Sequence, residues 1–139
     1  MQQAALGYPV ISITGPRQSG KTTLCRSIFP AKAYVTLEDP ETLAFAREDP
    51  RGFLQQFPEG AILDEIQRVP EIFSYIQGIV DTEKKMGQFI LTGSAQFLLD
   101  KRITQTLAGR VAIFELLPFS TKELKSAKCM PDTLNLHGR

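Results

Sequence analysis

Apolar residues in this chain fall into short β-branched runs, separated by stretches in which they recur at helical spacing. Tyr8 to Thr14 (YPVISIT) is such a run, and Gly15-Pro16 stops it with a sharp turn, which predicts a first buried strand. From Gly20 to Phe29 the apolar positions are Leu24, Ile28 and Phe29, and Pro30 follows, the pattern of a short helix. Ala33 to Leu37 reads as a second strand. Asp39-Pro40-Glu41 then supplies the cap, first-turn proline and early acid that start a helix running to about Glu48. Asp49-Pro50 repeats that signal for a shorter helix carrying Phe53, Leu54 and Phe57.

Pro58-Glu59-Gly60 turns the chain into Ala61-Ile62-Leu63, a third strand that ends in Asp64-Glu65. Ile72, Phe73, Ile76, Ile79 and Val80 give Pro70 to about Lys85 one apolar helical face, with Gly87 marking its end. Gln88 to Thr92 is a fourth strand, Ala95 to about Leu107 a further helix, and Arg110 to Leu117 a fifth strand. Strands alternating with helices imply an α/β domain with a parallel sheet covered on both faces.

Composition narrows the class. In 139 residues there is room for one domain, so 1–120 is expected to be the core and 121–139 a disordered tail or a truncated connection. An apolar fraction of 42% with no bilayer-length run and no signal pattern makes a cytoplasmic enzyme the default. Sixteen Lys plus Arg against fifteen Asp plus Glu leave +1, so charge gives no support for nucleic acid or a membrane as partner. Cys25 and Cys129 lie far apart and His137 is the sole histidine, so neither a disulfide framework nor a Cys/His metal site can be read here.

The first strand-turn-helix carries the chemistry. Gly15-Pro16-Arg17-Gln18-Ser19-Gly20-Lys21-Thr22 fits G-x-x-x-x-G-K-[ST] without a mismatch. That spacing curls the backbone so that consecutive N–H groups face phosphate oxygens, and the following helix adds its N-terminal dipole. Lys21 would reach the β- and γ-phosphates, the Thr22 hydroxyl would ligate Mg²⁺, and Thr23 would bond the α-phosphate. The pattern implies MgATP or another nucleoside triphosphate as ligand.

Asp64 and Glu65 follow an apolar strand, at the carboxyl edge where open α/β sheets bind ligands. This is a Walker B pattern, with Asp64 holding the metal's water shell and Glu65 deprotonating the attacking water. Adjacent strand residues point to opposite faces, which would let the carboxylates act separately. The bland alternative is that the pair caps the next turn. Glu65 favours hydrolysis over transfer to a small acceptor, because a water-activating base would compete with that acceptor.

Ser94, with Thr92 second, is the candidate sensor of the γ-phosphate or lytic water, although Ser94 also suits the N-cap of the helix beginning near Ala95. Arg110 is the candidate to neutralise γ-phosphate charge, in cis or across a subunit contact. Arg17 and Arg68 read more simply as solvated or salt-bridged residues.

GPRQSGKTTL at Gly15 to Leu24, YVTLEDP at Tyr34 to Pro40, LDEIQRVPEIF at Leu63 to Phe73, ILTGSAQFLL at Ile90 to Leu99 and LAGRVAIFELLPFS at Leu107 to Ser120 together resemble prokaryotic AAA-type P-loop ATPases. Among these the chain is similar to the amino-terminal ATPase domain of proteins that carry an uncharacterised carboxyl-terminal domain. The resemblance covers about Gly7 to Ser120. It implies a three-layer sandwich with strand order 5-1-4-3-2 and ATP with Mg²⁺ as ligands. It also implies Lys21 and Thr22 as contacts, Glu65 as base, Ser94 as sensor and Arg110 as a possible finger. ATP over GTP rests on the resemblance and on the lack of an N/T-K-x-D motif.

Members of that family are longer, and here the pattern stops near Ser120, so a helical lid and a carboxyl-terminal partner domain are expected to be missing. A homo-oligomer is a further expected partner arrangement. The competing function is a nucleotide-binding switch with little hydrolysis, and after it a small-molecule phosphotransferase.

Overall fold

The structure is a computed structural model and describes residues 7–15, 20–93 and 105–115. In chain order its elements are β1 (Val10–Thr14), α1 (Lys21–Ile28), β2 (Ala33–Thr36), α2 (Pro40–Glu48), α3 (Pro50–Gln55) and β3 (Ala61–Asp64). A 3-10 turn (Ile66–Arg68), α4 (Ile72–Glu83), β4 (Phe89–Gly93) and β5 (Val111–Glu115) complete them. The strands form one sheet in the order β2-β3-β4-β1-β5, and every pairing is parallel. Read from the other edge this is 5-1-4-3-2, the expected order, with β4 inserted between β1 and β3.

Strand periodicity distributes the core. Odd-numbered residues of β3 and β4 (Ala61, Leu63, Phe89, Leu91) pack with Phe53, Ile66, Phe73, Ile76 and Val80 under α2, α3 and α4. Even-numbered Ile62 and Ile90 turn the other way, joining Ile11, Ile13, Ala112 and Phe114 beneath Leu24 and Cys25 of α1. Helices thus cover both faces of the sheet. Because β1, β3 and β4 are buried along their whole length, they read as continuous apolar runs rather than alternating ones. β2 lies at an edge and stays partly exposed.

Local signals set the boundaries. Asp39 caps α2 by accepting from the Thr42 N–H at 3.0 Å, and Asp49 caps α3 through the Gly52 N–H at 3.0 Å. α4 closes at Glu83 with Lys84 in the left-handed region (φ 55°), and Gly87 (φ 65°) turns the chain into β4. Gly60 has φ 89° and lies against the Gln88 carbonyl, where any β-carbon would collide. Of the helix expected over Ala95 to Leu107, Gln105 and Thr106 are helical, while 94–104 lie outside the described residues. The expected tail at 121–139 lies outside them too.

No helix among the described residues is long and apolar enough to cross a membrane.

Candidate active site

The carboxyl edge of the sheet gathers the site. β1 ends at Thr14, and the Gly15 N–H donates to the Gly93 carbonyl at 3.2 Å, tying the base of the glycine loop to the end of β4. Gly20 adopts φ 86°, ψ 8° as the residue before α1, a left-handed conformation that suits glycine. Its carbonyl accepts the Leu24 N–H at 2.9 Å, so α1 begins at once and Lys21 is its first residue. Lys21 is buried, 5% exposed, although it carries a charge. Thr22 is half-buried beside it and Thr23 is exposed. Pro16, Arg17, Gln18 and Ser19 lie outside the described residues.

Asp64 is the hub. It is the last residue of β3 and shares the even-numbered face with Tyr34 and Thr92, the face that α1 covers. Its Oδ1 accepts from the Thr92 hydroxyl at 2.6 Å and its Oδ2 from the Tyr34 hydroxyl at 2.7 Å. The register explains the second bond. Tyr34 pairs with Ile62 and Thr36 with Asp64, so the long phenol reaches diagonally along the strand to the carboxylate. Arg26 of α1 stacks over the Tyr34 ring at 4.9 Å from its centroid, holding it from the other side. Burial, then the bond to Asp64, pushes the Tyr34 phenol up to about 12. Cys25, buried one turn into α1, has its thiol pushed up to about 12 by burial and then by the charge of Asp64, against the pull of Lys21.

Glu65 does not continue the strand. β3 stops at Asp64, and Glu65 takes φ 60°, ψ 45°, a left-handed conformation rare for a residue with a side chain. The two carboxylates are therefore separated by a backbone turn, and not by the alternation of strand faces expected from the sequence. Glu65 occupies the position before the 3-10 turn yet makes no side-chain cap bond to it, so the capping alternative does not describe this side chain. Its Oε1 instead accepts from Gln67 Nε2 at 2.6 Å, and the residue is 8% exposed. Glu65 is thus a buried carboxylate on a residue in a rarely adopted backbone conformation.

Of the two sensor candidates, Thr92 is brought against Asp64, while Ser94 lies outside the described residues. Arg110 is carried elsewhere. It precedes β5, its carbonyl accepts the Val10 N–H at 3.1 Å, and it therefore sits at the amino edge of the sheet. The glycine loop follows the opposite end of β1, a strand length of roughly 16 Å away. Its guanidinium forks onto Asp81 of α4, Nε to Oδ1 at 2.7 Å and Nη2 to Oδ2 at 2.9 Å, and Nη1 donates to the Ala108 carbonyl at 2.9 Å. Parallel pairing of β1 with β5 thus places Arg110 at the edge of the sheet opposite the one from which Gly15 leaves β1. Arg68 is exposed, and its carbonyl accepts from Arg47.

Tyr34 and Gln67 went unremarked in the sequence. The signals were an aromatic residue on an edge strand, at even register with Asp64, and an amide two positions beyond Glu65.

A parallel sheet in this order, with a glycine-lysine turn leading its first strand into a buried helix start, defines a P-loop domain of the nucleotide-binding kind. The family model described as an AAA domain matches residues 7–125, and the chain belongs to that family of AAA-type P-loop ATPase domains. It is also similar to the uncharacterized protein Rv2008c of Mycobacterium tuberculosis and the uncharacterized protein Mb2031c of Mycobacterium bovis, 33% identical to each over 139 residues. Those residues make up 99% of this chain and 31% of each relative, so the chain spans about a third of their length.

Proposed function

We propose that this chain binds ATP with Mg²⁺ at the loop from Gly15 to Thr23 and hydrolyses it, with Glu65 as the base. The observation that carries this reading is the pair of adjacent carboxylates with different surroundings. Asp64 is fixed by two hydroxyl donors, and Glu65 is buried in a left-handed turn beyond it.

The residues suit a hard cation. Each Asp64 oxygen accepts one protein hydrogen bond and keeps a further lone pair for a metal-bound water. Thr22 adds a hydroxyl, and Cys25, the nearby soft donor, is held as the neutral thiol. Thr22 and Asp64 would hold the cation, which would supply charge neutralisation to the phosphate groups. The sequence motif that includes Pro16, Arg17, Gln18, Ser19 and Gly20 is the phosphate-binding segment in this reading, and Lys21 provides a positive charge. Glu65 takes a proton from water as its oxygen bonds to the γ-phosphorus. The bond from that phosphorus to the bridging oxygen breaks, releasing ADP and phosphate. Ser94 or Thr92 senses the γ-phosphate. Arg110 serves only across a contact with a second copy.

One observation favours a second reading, a nucleotide-binding switch with slow turnover. Gln67 already donates to Glu65 Oε1, so that oxygen must give up a hydrogen bond before it can engage a water.

Titrating the chain with a fluorescent ATP analogue, with and without Mg²⁺, while following phosphate release separates these readings. Hydrolysis predicts binding lost in Lys21→Ala, and phosphate release lost in Glu65→Gln with binding kept. Binding without release supports the switch. Equal binding by folded wild type and Lys21→Ala removes the site altogether.

A further inference from the structure

We propose that Tyr34 is a positioning residue for the metal side of this site, its hydroxyl fixing the orientation of the Asp64 carboxylate. The proposal rests on the nucleotide-site reading above and adds a residue from the edge strand that no phosphate-loop or acidic motif contains.

Three observations carry it. The phenol donates to Oδ2 of Asp64 at 2.7 Å, on the carboxylate oxygen that Thr92 leaves free. The β2–β3 register sets Tyr34 level with Ile62 and Thr36 level with Asp64, so the phenol reaches the carboxylate from the neighbouring strand. The ring itself is fixed, by the Arg26 guanidinium over one face and by packing against the Ile11, Ile62 and Ile90 cluster.

The geometry has a chemical consequence. A carboxylate that receives metal-bound water must present its free lone pairs in one direction. With Thr92 alone, Asp64 keeps a torsion about its Cβ–Cγ bond. A donor on each oxygen removes that torsion. Residues that orient ligands in this way typically change metal affinity by about 10- to 100-fold when removed. Tyr34 touches neither phosphate nor the lytic water in this account, so it acts through Asp64.

The test is the Mg²⁺ dependence of nucleotide binding by the intact chain, read with a fluorescent ATP analogue as probe. Tyr34→Phe keeps the ring, its stacking on Arg26 and its apolar contacts, and removes only the hydroxyl. The expected result is wild-type affinity without Mg²⁺ and about a tenfold rise in the Mg²⁺ concentration needed for half-maximal enhancement. The shift should vanish in an Asp64→Asn background, because the two residues act as one unit. Unchanged Mg²⁺ dependence in a folded Tyr34→Phe overturns the proposal and makes Tyr34 a packing residue. A lowered Mg²⁺ requirement overturns it in the other direction, since the phenol would then be competing with the ion. Should Tyr34→Phe unfold, a measurement on the wild type replaces it. The three tyrosines are the fluorophores in a chain without tryptophan. Adding Mg²⁺ to the nucleotide-bound wild type should then change tyrosine emission, and no change overturns the proposal. If Lys21→Ala binds as wild type does, the nucleotide site itself fails and the proposal falls with it, an outcome distinct from a silent Tyr34→Phe.

Discussion

Thr92 and Asp64 share a buried hydrogen bond, Oγ1 to Oδ1 at 2.6 Å, although 28 residues separate them in sequence. Parallel pairing of β3 with β4, with Leu63 opposite Leu91, brings the two strand ends level and makes the bond possible. It fastens the acidic residue to the strand whose last carbonyl also holds Gly15.

Thr92→Val keeps the shape and deletes the donor. A buried carboxylate oxygen loses its partner, which costs about 1–3 kcal/mol and should lower the unfolding midpoint by several degrees. Thr92→Ser should restore most of that loss. Thermal or urea unfolding of the three proteins checks it, and a valine variant as stable as wild type would falsify the bond's importance.

Glu65 pays in backbone conformation for its place. Glu65→Gly relieves the left-handed residue and should be at least as stable as wild type, while phosphate release falls at least about 100-fold. Gln67→Ala frees the carboxylate from its 2.6 Å donor. Under the hydrolytic reading release should drop by about tenfold as the base loses its orientation. A rise in release instead identifies Gln67 as a restraint.

Gly60→Ala should be among the most damaging single-methyl changes in the domain. The β-carbon would meet the Gln88 carbonyl, and φ is 89°, so both sterics and backbone conformation oppose it. Loss of soluble protein or a sharply lowered unfolding midpoint is the expected outcome. An unchanged midpoint contradicts the close approach of β3 and β4 at this point.

Arg110→Ala should leave stability nearly unchanged, because its ion pair with Asp81 is solvent-exposed. Phosphate release measured at low protein concentration should also match wild type. If Arg110 acts across a contact between copies, the variant loses the gain in specific activity that wild type shows as concentration rises.

The Cys25 thiol, held up to about 12 against an ordinary 9.0, gives a pH signature. The unfolded chain ionises this thiol first as pH rises, so it binds fewer protons than the folded chain and stability falls. The contribution is complete below about pH 9 and is lost toward about pH 12. Unfolding midpoints across that range should decline less steeply for Cys25→Ala than for wild type. Near neutral pH, Cys25 should resist alkylation until the chain unfolds.

Much of the fold was legible because its signals are local. Proline, aspartate and glycine at 39–40, 49–50 and 58–60 bound the elements through the backbone angles they permit. Apolar spacing separated Ile72–Glu83 from its flanking strands. The glycine-lysine-threonine spacing likewise identified a phosphate loop before any contact was known. Other features are set by register between strands distant in sequence. Asp64 meets Tyr34 and Thr92 because β2, β3 and β4 lie side by side with particular residues level, and a one-residue slip would turn each side chain to the other face. Arg110 is distant from the loop because β5 runs parallel to β1, a direction that its own sequence does not encode. Glu65 leaves the strand through a left-handed turn that no propensity for glutamate would suggest. What residues prefer one by one was written in the sequence; which of them meet was decided by the packing of the sheet.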